Sequence, residues 1–306
     1  MIPTLYMMVG LPGSGKSTYA EKLAEEVSGQ LISSDGIRFE FYGDEMIQGE
    51  GGRIFREVDA RAKRAIASGC SAVIDATNMN AKKRAGFLRQ LPANCLKVCI
   101  VMATPFDVCI KRDEERSRHV GSMIIERMRA HFQMPYYNEG WDHIEIYYPK
   151  DCEMVDADAH YKMEVEFDQK NIHHTLTVGD HEWKAECIAR EKGFDTAVQT
   201  AAAFHDCGKI WCQHFKGGDP NAHYYDHENI SAYQFLTMET TEMIHAVGNK
   251  ERVIEIATLI TWHMVPYPMP DECPYDSLKE WGRGKGFDEK FIEHLWQLHQ
   301  CDVGAH

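Results

Sequence analysis

Residues Gly10-Leu-Pro-Gly-Ser-Gly-Lys16-Ser17-Thr18 constrain this chain more than any other segment. They follow the apolar run 5–9 and precede an amphipathic stretch, so the loop joins a buried strand to a helix. Gly10, Gly13 and Gly15 let backbone N–H groups turn inward around an anion, with Ser14 between the last two. The helix N-terminus adds partial positive charge. Lys16 would reach the β- and γ-phosphates of ATP, and the hydroxyl of Ser17, next to Thr18, would hold Mg²⁺. The apolar start lacks a basic flank and is expected to be the first strand, not a signal peptide.

The first half continues as an α/β pattern. Strands are expected over residues 5–9, 72–74, 97–102 and 144–147, with a weaker one over 30–33, and helices over 17–27 and 52–67. Two polar clusters follow expected strands. Ser33-Ser34-Asp35-Gly36-Ile37-Arg38 offers a carboxylate that can either cap a helix or take a proton from a hydroxyl, with a guanidinium three residues on for an acceptor phosphate. Asp75-Ala-Thr-Asn78 ends a buried strand, where sites of open α/β sheets gather. Lys111, Arg112, Arg116 and Arg118 form a basic lid candidate, with Arg112 and Arg116 on one helix face.

The second half differs in charge and pattern. Residues 1–150 carry a net +1 and residues 151–306 a net −15, which together make the −14 of the whole. Thirteen of the 16 histidines lie in this acidic half, a setting that suits cations better than long tracts of nucleic-acid backbone. The boundary is expected within 149–170, giving domains 1–150 and 151–306. Helices are expected over 174–191, 196–206, 228–237, 252–263 and 288–302, and the three prolines within 265–270 require a loop. Several apolar stripes end in a potential metal ligand: Val198 and Ala201 before His205, Ile256 and Ile260 before His263, Leu295 and Leu298 before Asp302. One metal centre would satisfy all of these buried polar groups together.

Ten cysteines without a Cys-x-x-Cys pair suit a reducing cytosol, and no run of about 18 apolar residues is present to span a membrane. The expected location is cytoplasmic.

In the first half the set GLPGSGKST, SSDGIR, DATN and Arg-x3-Arg resembles the P-loop 5′-hydroxyl polynucleotide kinases. The resemblance implies ATP and Mg²⁺ as cofactors. It implies Asp35 as general base, Arg38 as acceptor-phosphate contact, and Arg116, with Arg112 as the alternative, as the lid arginine. In the second half the order His174, His205-Asp206, His223, His227, His263, Asp302 resembles the HD phosphohydrolase superfamily. That implies an all-α domain with His174, His205, Asp206 and Asp302 as the core metal site. His227 and His263, and less directly His223, would be further metal or phosphate ligands. Lys209 would be a phosphate contact or a salt-bridge partner. His173 and His181 are expected at the surface or behind the ligands. Such a site would hold one or two ions of Mn, Ni, Co, Fe or Zn.

The expected architecture is thus an α/β P-loop kinase domain followed by an all-α HD domain. The pairing resembles RNA end-healing kinase/phosphatases, which install a 5′-phosphate and clear a 2′,3′-cyclic, 2′- or 3′-phosphate. It implies RNA or DNA ends as substrate and a nucleic-acid ligase as functional partner. The alternative is a metabolite or nucleoside kinase fused to an HD nucleotidase or cyclic-nucleotide phosphodiesterase.

Overall fold

The computed structural model describes residues 2–44, 51–117, 119–172, 175–270 and 272–305. Two compact units emerge: residues 1–125 with 135–152, and residues 126–134 with 153–306. The second unit thus takes in a short segment from within the range 1–150.

The first unit is built on five parallel strands, β1 (Thr4–Val9), β2 (Gln30–Ser33), β3 (Ala72–Asp75), β4 (Leu96–Met102) and β5 (His143–Tyr147), in the order β2-β3-β1-β4-β5. Its helices are α1 (Lys16–Glu26), α2 (Ser34–Tyr42), α3 (Gly51–Ala67), α4 (Ala81–Leu88) and α5 (Phe106–Glu114); α6 (Ser122–Ala130) begins in this unit and continues into residues assigned to the second. A fully parallel sheet must be covered on both faces, and β1 and β3 are accordingly apolar almost throughout. Met8, Val73, Ile100 and Met102 pack against Ala20 and Ala24 of α1. The small alanines let the helix that follows the phosphate loop lie close to the sheet. The register pairs Ser33 with Asp75, so the carboxyl ends of β2 and β3 stand level.

Asn78, at φ 46°, donates its side-chain amide to the Met8 carbonyl at 2.8 Å. Its own carbonyl accepts from Arg84 Nη1 at 2.8 Å. Arg84 also makes a bidentate pair with Glu139, at 2.8 and 2.6 Å, and both side chains are buried. The Asp-Ala-Thr-Asn segment therefore braces the end of β1 from which the phosphate loop departs.

The second unit is helical: α7 (Ala157–Glu166), α8 (Val178–Glu191), α9 (Thr196–Ala202), α10 (His227–Leu236), α11 (Glu239–Ala246), α12 (Lys250–Trp262), α13 (Pro274–Lys285) and α14 (Glu289–Gly304). One antiparallel hairpin interrupts it, β6 (Gln213–Phe215) with β7 (Ala222–Tyr224). Apart from this short hairpin the described residues of the unit match the expected all-α class.

The helix expected over 196–206 is corrected. It stops at Ala202, and a 3₁₀ turn, Cys207–Trp211, follows two residues after His205. The chain leaves the helix because the Asp206 amide is taken by the buried Glu182 carboxylate at 2.7 Å, a partner outside the helix. The boundary segment contains α7, which is capped by Asp156 accepting from the Ala159 amide at 3.0 Å. No helix of the described residues is long and apolar enough to cross a membrane.

Removing one member of a buried bidentate pair leaves the other charge uncompensated, at a cost of about 3–5 kcal/mol. Arg84→Ala is expected to lower the unfolding free energy of the first unit by about that much. Urea unfolding followed by tryptophan fluorescence checks it, since Trp141 Nε1 donates to Glu139 at 3.0 Å.

Candidate functional sites

In the first unit the phosphate loop has the backbone its glycines predict. Gly13 and Gly15 lie at φ 80° and 87°, where other residues are strained. A Cβ on Gly13 would also meet the Cys109 carbonyl oxygen at 2.2 Å. Lys16 is buried and donates from Nζ to the Leu11 carbonyl at 2.7 Å. Burial pushes its ammonium down from the ordinary lysine range, while the Asp75 carboxylate opposes that shift. Ser17 and Thr18 stand exposed in the first turn of α1.

Ser33 Oγ, not Asp35, caps α2, accepting from the Gly36 amide at 3.3 Å. Asp35 instead forms an ion pair with Arg38, whose guanidinium is largely buried. Asp75 sits buried at the end of β3, and Ser33 Oγ donates to it at 3.5 Å. Arg112 reaches back over the loop, with Nη1 on the Gly13 carbonyl at 3.4 Å and Nη2 on Asp151 at 2.8 Å.

Arg116 lies exposed in the turn after α5, and its charge depresses the Lys16 ammonium further. The turn is fastened by buried Asp113, whose carboxylate accepts from the Val120 and Gly121 amides at 2.9 Å. Arg118 lies outside the described residues. The loop lysine, Asp35, Arg38, Asp75 and two arginines thus gather at the carboxyl ends of parallel strands, the usual place for a site in such a sheet.

In the second unit the side chains converge from four helices and one turn. Asp206 stands at the centre. Its Oδ1 lies 3.1 Å from His227 Nε2 and 3.7 Å from His263 Nε2. Its Oδ2 lies 3.5 Å from His181 Nε2, 3.7 Å from His205 Nε2 and 2.6 Å from Lys209 Nζ. Asp302 Oδ1 lies 3.1 Å from His181 Nε2 and 3.4 Å from His205 Nε2. Tyr267 donates to the other Asp302 oxygen at 2.7 Å. All of these except Tyr267 are buried.

Local backbone explains the precision. Gly208 lets its turn press onto the start of α10, because a Cβ there would meet the His227 carbonyl oxygen at 2.6 Å. His205, His227 and His263 each place Nδ1 on a backbone carbonyl, of Ala202, Tyr224 and Ile260, at 2.8–2.9 Å. A carbonyl only accepts, so Nδ1 donates, and in the neutral ring Nε2 keeps its lone pair. Yet Nε2 of His227 faces Nε2 of His263 at 3.2 Å, and Nε2 of His181 faces that of His205 at 3.2 Å. Two bare nitrogens repel at this distance, so each pair needs a proton or a metal ion between its rings. Two groups of three potential ligands, His181-His205-Asp206 and Asp206-His227-His263, share Asp206. This donor set fits one or two divalent transition ions, with carbonyl-anchored imidazoles as the supporting contacts.

The charges respond accordingly. Burial works against the His205 imidazolium, but the Asp206 and Asp302 carboxylates outweigh it and lift it to about 9. Burial, then the charges of His227 and His205, push His263 down to about 3. Burial alone would raise Asp206, but Lys209, His205 and His227 hold it well below the carboxylate range.

His181 was expected at the surface or behind the ligands; it lies within the convergent set. The signal was present, because Val178, Ala185 and Ala189 put His181 on the buried stripe of α8. His174 and His173 lie outside the described residues. His223 is half-buried and engages Asp219 at 2.9 Å, outside the convergent set. It does line a cleft of about 520 Å³ with Asp206, Lys209, His227, Tyr267 and Asp302.

Comparisons with known proteins bear on the first unit. A family model described as an AAA domain matches residues 5–135. L-seryl-tRNA(Sec) kinase of Methanococcus maripaludis is 26% identical over 154 residues, which is 45% of this chain and 56% of that protein. The chain thus spans about half the length of the curated relative it matches. Among solved structures, the Pnkp1/Rnl/Hen1 RNA repair complex contains a chain that is 24% identical, covering 42% of this chain and 43% of that one with a TM-score of 0.38. A putative kinase from Chloroflexus aurantiacus J-10-fl is 20% identical, covering 52% and 91% with a TM-score of 0.42. At these scores the structural likenesses carry no functional weight. The first unit thus carries a phosphate loop on a parallel α/β sheet and is similar over residues 5–135 to the AAA domain family model.

A divalent ion entering the second centre must displace the proton that His205 carries at neutral pH. Binding is therefore expected to release about one proton per chain near pH 7.5, and to weaken as the pH falls. Isothermal titration of Mn²⁺ in buffers of different ionisation enthalpy measures the release.

Proposed function

We propose that the chain heals nucleic-acid ends, with RNA the preferred reading. The first unit would transfer the γ-phosphoryl group of ATP to a 5′-hydroxyl, and the second would clear a 2′,3′-cyclic, 2′- or 3′-phosphate as an HD-type metal phosphohydrolase. The observation that carries the pairing is Asp206 shared between two sets of imidazoles, on the same chain as a phosphate loop with an acidic base candidate. The relative named for a tRNA-linked substrate supports a hydroxyl acceptor attached to RNA.

In the kinase step Asp35 accepts the proton of the attacking hydroxyl, and Arg38 holds the acceptor phosphate. The new bond joins the 5′-oxygen to the γ-phosphorus, the bond from that phosphorus to the β–γ bridging oxygen breaks, and ADP leaves. Lys16, Arg112 and Arg116 neutralise charge on the transferring group, and Mg²⁺ at Ser17 would share that task.

In the second unit His181, His205, Asp206 and Asp302 would hold one ion, and Asp206, His227 and His263 a second. A bound divalent ion supplies Lewis acidity and lowers the pKa of a water molecule. The chain's own contribution is orientation. Tyr267 fixes the Asp302 carboxylate, Lys209 holds Asp206, and Lys209 and His223 face the cleft where a phosphate would enter. The products, a 5′-phosphate and free 3′-terminal hydroxyls, are what a nucleic-acid ligase consumes, so a ligase is the expected functional partner.

The two activities should separate by mutation. Lys16→Ala is expected to lower labelled γ-phosphate transfer to a 5′-hydroxyl oligonucleotide by at least about 100-fold and spare phosphohydrolysis. Asp206→Ala is expected to do the reverse. Equal loss of both activities in either variant, with folding retained, would count against two independent sites.

A further inference from the structure

On the backbone side of Asp206 lies another group of ionisable side chains, which the phosphohydrolase reading leaves unused. His160 and Glu164 sit four residues apart on α7, and Cys207 follows Asp206 in the 3₁₀ turn; all three are buried. An imidazole nitrogen, a carboxylate oxygen and the thiol sulfur lie within 4.8 Å of one another.

The contacts inside the group are unusual. His160 Nε2 and Glu164 Oε1 are 2.8 Å apart. The contact nevertheless lacks hydrogen-bond geometry, and neither atom has a hydrogen-bond partner among the described residues. Two atoms so close, with neither directed at the other, are arranged as neighbouring ligands of a common third atom. Glu182 enters from α8. Its Oε1 accepts the Asp206 amide at 2.7 Å, while its Oε2 is buried without a hydrogen-bond partner. The His160 ring lies flat against Trp211, with centroids 5.0 Å apart and planes 13° apart, so its orientation is held. Buried ionisable groups left in this state are costly, and a cation removes the cost.

We propose that His160, Glu164 and Cys207 form a further metal site, distinct from the His-Asp centre. A mixed nitrogen, oxygen and sulfur set suits Zn²⁺ or a similarly borderline-soft divalent ion and excludes Mg²⁺ and Ca²⁺ as preferred occupants. All three ligands are buried and none lines the cleft, so the role of the site is structural. It ties α7 to the turn that presents Asp206. On binding, the Cys207 thiol, now directed at the Ser231 carbonyl 3.7 Å away, loses its proton to solvent.

Sulfur separates this site from the other centre, whose candidate ligands are all nitrogen and oxygen. The test is to load the full chain with Co²⁺, record the near-ultraviolet thiolate-to-cobalt charge-transfer band, and count bound metal by mass spectrometry. The wild-type chain is expected to show the band. Cys207→Ser is expected to lose it together with one metal ion per chain, and Asp206→Asn to keep it. His160→Gln is expected to weaken the band, which covers the case in which Cys207→Ser fails to fold. A wild-type chain that binds Co²⁺ without the band overturns the proposal. So does a band that survives Cys207→Ser, or equal metal content in the wild type and both site variants.

Discussion

The Asp206 carboxylate, set between facing imidazoles, is the contact on which the second unit depends. Its oxygens reach four histidine Nε2 atoms and the Lys209 ammonium. Those rings could not be held nose to nose with neither a proton nor a metal ion between them without a cost comparable to that of an unpaired buried polar group. The rest of the unit reads as support for this arrangement. Carbonyls of Ala202, Tyr224 and Ile260 fix three rings, Glu182 holds the Asp206 backbone, and Gly208 lets α10 come close enough to deliver His227. The acidic surface of this half, net −15 over residues 151–306, adds a field that favours cations.

The first unit achieves convergence by a different route. Parallel strands all end on one edge, so Ser33 and Asp75 come level through register alone. The loop after β1 enters the same edge, braced through Asn78 to Arg84 and Glu139. A histidine-lined helical cluster needs each ring anchored separately, whereas a sheet edge positions its groups through the backbone ladder.

This contrast explains what was legible in the amino-acid sequence. The phosphate loop is a local motif, and its strand, turn and helix follow from contiguous residues. Lys16 could therefore be placed by the motif and Asp35 and Asp75 at strand ends, while the roles of Asp35 and Arg38 came from the resemblance. The second centre is assembled from residues 181 to 302, and no local pattern distinguishes one histidine from another. His205, His263 and Asp302 were legible because each ends an apolar helical stripe, whereas Asp206 and His227 were implied by the resemblance to the HD superfamily. His181 obeys the same rule on α8, where it shares the buried face with Val178, Ala185 and Ala189. The early end of α9 was not legible, because it depends on Glu182, a carboxylate on another helix. The hairpin of β6 and β7 is too short to show a strand period.

The central claim is that one chain edits both kinds of terminal phosphate. The most direct measurement is end analysis of an RNA oligonucleotide bearing a 5′-hydroxyl and a 2′,3′-cyclic phosphate, incubated with ATP, Mg²⁺ and Mn²⁺ or Ni²⁺. The expected product carries a 5′-phosphate and no 2′,3′-cyclic phosphate, each change depending on its own cofactor. An oligonucleotide left unchanged at both ends, by a chain that phosphorylates a free nucleoside or hydrolyses a free nucleotide under the same conditions, would contradict it.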